Sequence, residues 1–156
     1  MQKVSFNYLD RQLTLKNKTL VKEFIQTIFK SEKKRLNFIH YIFCSDETLL
    51  EMNINQLNHD YYTDILTFEF SNNDHTEAEI YISIDRVKEN AINLKQPFEL
   101  EILRVIFHGV LHLCGYKDKT KQEAALMRTM EDKYIKKYLK TKHSVPRETK
   151  KININK

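Results

Sequence analysis

The sequence predicts an α+β fold: a single domain with one mixed sheet of about four strands packed with about five helices, and a metal site at the end of a central helix. Three observations carry this reading. Hydrophobic spacing switches repeatedly between strand-like alternation and the 3.6-residue helical period. The 156 residues fit one domain that can bury a core without cross-links. Only two Gly and two Pro punctuate the chain, which favours helices over frequent tight turns.

The elements follow in order. Residues 3–8 read as a short first strand. Leu20, Phe24, Ile25, Ile28 and Phe29 recur at helical spacing from Asn17 to about Glu32. LNFIHYIFC (36–44), short and rich in β-formers, reads as a buried strand. Ser45 or Asp46 caps a helix through about Gln56, with Leu49, Leu50 and Met52 inward. TDILTFEF (63–70) alternates Leu66, Phe68 and Phe70, AEIYIS (78–83) alternates Ala78, Ile80 and Ile82, and the polar link between them suggests a hairpin. Asp85 is placed to cap a helix over Val87, Ala91 and Leu94. Pro97 belongs in the first turn of the next helix, which carries Leu100, Leu103, Phe107, Val110, Leu111 and Cys114 and stops at Gly115. Thr120 and Glu123 form a capping-box pattern for a last helix packed through Met127, Met130, Tyr134 and Tyr138. The pattern fails after that, so the domain is expected over 1–140 and a basic flexible tail over 141–156.

Composition narrows the setting. Cys44 and Cys114 lie far apart inside apolar stretches, unlike a disulfide framework, which fits a reducing compartment. The N-terminus lacks the apolar core of a secretory leader, and no apolar run reaches the roughly 18 residues of a membrane span. A cytoplasmic protein without a membrane partner is expected. The net charge of +5 is unevenly spread. Residues 133–156 hold nine Lys or Arg against Glu148 alone, a local net of +8, whereas residues 1–132 carry a net of −3. Such a basic end suits nucleic-acid phosphate, and equally suits a tail that only aids solubility.

The chemistry is concentrated in HGVLHLCGYKD, from His108 to Asp118. Histidines four apart on a helix project from one face, about one turn apart, so both imidazoles can reach one cation. Gly115 permits the left-handed turn that brings the chain back, and Asp118 can then add a carboxylate. Two imidazoles, one carboxylate and a water position suit a catalytic rather than a structural zinc site. Zinc lowers the pKa of bound water from 15.7 to about 7. Cys114, on the apolar stripe, reads as core.

HGVLHLCGY with a ligand three residues past the Gly resembles the YbeY family of metal-dependent endoribonucleases, whose pattern runs H-G-x-L-H-L-x-G-Y-D-H. TDILTF (63–68), AEIYIS (78–83) and the stretch from Glu123 through Met127 to Glu131 resemble further family segments in the same order, so the similarity spans roughly Val4 to Leu139. The resemblance implies single-strand-specific cleavage of RNA phosphodiester bonds in ribosomal RNA maturation and ribosome quality control, with ribosomal RNA and the ribosome as partners. It also implies that His108, His112 and Asp118 hold the catalytic metal. Two positions depart from the pattern. Asp118 stands for the third histidine, which keeps a ligand but makes it harder and anionic; zinc is expected, with another divalent transition metal such as Mn²⁺, Fe²⁺ or Ni²⁺ as the alternative. Leu57 stands where the family usually has an Arg, leaving His59, Lys117 or Lys119 as candidates for a phosphate contact. Thr63 and Asp64 are candidates to line the cleft or to start the strand.

Two rival readings remain. The spacing H-x-x-x-H-x-x-G-x-x-D also matches metzincin-like zinc peptidases, which need a Glu where this chain has Gly109. A non-catalytic, ribosome-associated RNA-binding module would share the basic end and need no Arg.

Overall fold

The computed structural model describes residues 2–57, 63–71 and 74–144. In chain order the elements are β1 (Val4–Tyr8), α1 (Lys18–Ser31), β2 (Arg35–Cys44), α2 (Asp46–Leu57), β3 (Ile65–Glu69), β4 (His75–Ser83), α3 (Ile84–Asn93), α4 (Phe98–Leu113) and α5 (Lys121–Ser144). This is the expected α+β succession. The four strands form one mixed sheet in the order β1-β2-β4-β3. β1, β2 and β4 run parallel, and β3 pairs antiparallel with β4 in register Ile65↔Ile82.

Alternation along the strands decides what each sheet face buries. Ile39, Tyr41 and Phe43 of β2 and Ala78, Ile80 and Ile82 of β4 point into the main core with α1, α3, α4 and α5. On the opposite face, Leu49 of α2 packs with Cys44 and Leu66, beside the edge-to-face pair Phe68–Tyr81. Phe70, expected to continue that stripe, lies past the end of β3 and is exposed.

α4 is the central helix. Its 16 residues are buried on most sides, from Glu101 through Phe107 to Leu113. At Gly109 a Cβ would sit 2.9 Å from Ile80 Cδ1 and 3.2 Å from Ile65 Cδ1, so glycine lets the helix lie close on the sheet. The aromatic group Phe24, Phe107, Tyr134 and Tyr138 joins α1, α4 and α5, with ring centroids 5.3–6.4 Å apart.

The caps refine the expected boundaries. Ser45 caps α2 by accepting the Thr48 N–H. Ser83, not Asp85, caps α3 by accepting the Arg86 N–H. Asp85 lies in the first turn, and its carboxylate instead accepts from the Asp46 N–H and Arg11. Pro97 is the residue before α4 rather than within its first turn. Thr120 and Glu123 exchange the reciprocal bonds of a capping box, both 3.0 Å. β4 begins at His75, earlier than alternation suggested. α5 continues through Ser144, so its last turn overlaps the stretch assigned to the tail; residues 145–156 lie outside the described ones.

Candidate metal centre

The end of α4 and the turn after it build the site. His108 and His112 stand one turn apart with ring centroids 5.0 Å apart. Gly115, at φ +107°, ends the helix; its N–H bonds to His112 O and the Tyr116 N–H to Leu111 O. Tyr116 and Tyr134 both donate their hydroxyls to Glu32 at the end of α1, which clamps this turn against two helices. The chain therefore returns with Asp118 Oδ2 at 3.2 Å from His108 Nε2 and 3.6 Å from His112 Nε2.

One donor atom from each residue lies within 4.8 Å of the others. Ligands about 2.1 Å from a tetrahedral ion would be separated by roughly 3.4 Å. The two separations from Asp118 bracket that value. The three residues that the sequence singles out are thus brought together, and their donor set fits a divalent cation.

Behind the site lies a buried charge network that sequence reasoning missed. His108 Nδ1 is 2.6 Å from Glu131 Oε2 of α5. Arg104 donates to Glu131 Oε1 at 3.1 Å and to Asp132 at 2.9 Å, and Glu101 lies 3.7 Å from its Nε. Burial pulls the His108 imidazolium pKa down, but the Glu131 hydrogen bond with the charges of Asp118 and Asp64 outweighs it, and the net shift is upward. The signal for this network was present as charge inside an apolar helix: Glu101, Arg104 and His108 succeed one another at helical spacing in α4.

The three donors open onto a cleft of about 930 Å³ between edge strand β3 and the helices α4 and α5. Thr63 and Asp64 both line it, so the strand-start segment contributes to the cleft. Asp64 accepts from Asn90, and burial raises its carboxyl pKa. Of the candidate phosphate contacts, Lys119 lines the cleft while Lys117 is exposed outside it; His59 and the Leu57 side chain lie outside the described residues. Arg104 and Arg128 are cleft-lining cations that the sequence reading did not single out. Cys114 packs against the core, and burial pushes its thiol up to about 12, far from a thiolate ligand.

Position 109 speaks against the peptidase reading. A general base there would be driven into Ile80 and Ile65.

The family model for endoribonuclease YbeY matches residues 5–139. The chain is 46% identical over 133 residues to the endoribonuclease YbeY of Flavobacterium psychrophilum, covering 85% of this chain and 94% of that one. With the Cytophaga hutchinsonii endoribonuclease YbeY it shares 48% identity over 124 residues, covering 79% and 87%. The solution structure of a Thermotoga maritima protein superposes with a TM-score of 0.62 at 30% identity, covering 92% of this chain and 95% of that one. From fold, donor geometry and this similarity together, the chain belongs to the endoribonuclease YbeY family.

Proposed function

We propose that this protein is a metal-dependent endoribonuclease that cuts single-stranded RNA, acting in the cytoplasm on ribosomal RNA during maturation and ribosome quality control. The observation that carries the proposal is the convergence of His108, His112 and Asp118 on one point at a cleft roomy enough for a nucleotide. Family membership supports the choice of RNA as substrate.

His108, His112 and Asp118 would hold the ion, with zinc the expected metal. Its contribution is Lewis acidity: it lowers the pKa of a nearby hydroxyl or water and offsets charge developing at phosphorus. The surrounding residues supply the rest. Lys119 and Arg128 at the cleft wall can neutralise flanking phosphates, replacing the Arg that Leu57 displaces. Burial makes Asp64 a stronger base than an ordinary carboxylate, suited to take the proton of the attacking oxygen. Among the described residues β3 is an edge strand paired on one side only, so it offers backbone groups along the cleft. Among the described residues no helix is long and apolar enough to cross a membrane.

The test is direct. Purified protein is assayed for bound metal and for cleavage of single-stranded RNA, duplex RNA and casein, beside His112→Ala. The expected result is cutting of single-stranded RNA alone, with metal and activity lost together in the variant. Casein digestion, or stoichiometric metal without turnover on any RNA, would overturn the proposal in favour of a peptidase or a binding module.

A further inference from the structure

We infer that Glu131 is a positioning residue for the metal centre: it fixes the His108 ring so that Nε2 presents its lone pair to the ion, and Arg104 holds Glu131 in turn. The inference rests on the metal-centre reading above and adds a residue from a different helix. A carboxylate only accepts hydrogen bonds, so the 2.6 Å contact between Glu131 Oε2 and His108 Nδ1 requires the proton on Nδ1. In the neutral ring the lone pair then sits on Nε2, the atom that faces Asp118 at 3.2 Å. Glu131 cannot swing away. Its other oxygen is bonded to Arg104 at 3.1 Å and lies 3.6 Å from Arg128, and Glu131 and Arg104 are only 5% and 8% exposed. A chain of Arg104, Glu131 and His108 thus links two helices to one ligand atom.

His112 is held differently. Among the described residues its only carboxylate neighbour is Asp118 itself. Among the described residues the two histidines are therefore inequivalent: only His108 has its ring preset by a second carboxylate.

The test uses zinc alone, titrated against a chromophoric chelator, on wild-type protein, Glu131→Gln and His112→Ala. Long-range ¹H–¹⁵N spectra of the imidazoles in zinc-free protein report the His108 tautomer. Glutamine keeps the shape but can turn its NH₂ toward Nδ1, which would move the proton to Nε2. The expected result for Glu131→Gln is a 10- to 100-fold loss of zinc affinity with loss of the single Nδ1–H form. Unchanged zinc affinity and tautomer overturn the inference, as does a loss of thermal stability with both of those intact, which would make Glu131 a helix-docking residue only. His112→Ala separates the two readings: if it binds zinc like wild type, the metal centre itself is wrong, whatever Glu131 does.

Discussion

Asp64 sets stability against chemistry at the level of one side chain. Its carboxyl pKa is raised chiefly by burial, so the charged form is disfavoured in the folded protein. A folded-state pKa above the unfolded value means stability falls as pH rises through that range. Replacing it with Asn removes the charge and keeps an oxygen for Asn90. Asp64→Asn should therefore melt higher than wild type at neutral pH in metal-free buffer, converge with it in acid, and cut RNA more slowly. Melting curves across pH with single-turnover cleavage would show it. A lower neutral melting point would show that the charge is well accommodated. The visibility of such residues in the sequence followed their spacing. His108, His112 and Asp118 were legible because helix geometry and one glycine turn relate them within eleven residues. Glu131 was seen only as part of a family-like helix, because its contact with His108 spans 23 positions and depends on how α4 and α5 pack.

Elements were legible where their signals were local. The reciprocal bonds of Thr120 and Glu123 could be read from four letters. The cap of α3 differs from the expected Asp85 because tertiary partners, Arg11 and the Asp46 N–H, claim that carboxylate and leave the Arg86 N–H to Ser83. Gly109 lacked any sequence cue to its reason, which is the approach of α4 to β3 and β4. Gly109→Val adds a branched side chain where even a Cβ is tight, and overpacking of this kind costs about 1–3 kcal/mol. Chemical denaturation should register that loss; an unchanged midpoint would mean that Ile80 and Ile65 yield freely. A second joint ties the loop after β1 to the start of α2. Asp10 accepts from the Ser45 hydroxyl, the Thr48 hydroxyl and the Ser45 N–H, and its pKa is lowered from 3.8 to about 2, the Ser45 hydroxyl contributing most. The depressed value gives stability that is present above about pH 4 and lost as pH falls toward 2. Asp10→Asn should melt below wild type at neutral pH, with the gap closing across that window.

For the whole molecule, charge decides how RNA can be held. The described cleft is not basic: Asp64, Glu69, Glu101, Asp118 and Glu131 outnumber Arg104, Lys119 and Arg128. A divalent ion would bring that balance close to neutrality, which still gives little attraction for a polyanion. The excess positive charge lies from Lys133 onward. At a rise of about 1.5 Å per residue, α5 carries that excess from Lys133, about 3 Å along the axis from Glu131, to Ser144, roughly 20 Å from it. Only Lys133 and Lys136 fall within the ~8 Å Debye length at physiological salt. The lysines farther along α5 act by touching RNA that extends beyond the cleft. Ending the chain after Ser144 removes Arg147, Lys150, Lys151 and Lys156 together with Glu148. The truncated protein should keep its metal and its cutting of very short RNA, yet bind long single strands more weakly. Its slope of log affinity against log salt should become shallower by about 0.7 for each phosphate that the basic end had neutralised. Equal slopes for the two proteins would assign residues 145–156 to solubility and leave RNA binding to the lysines of α5, Lys119, Arg128 and the ion.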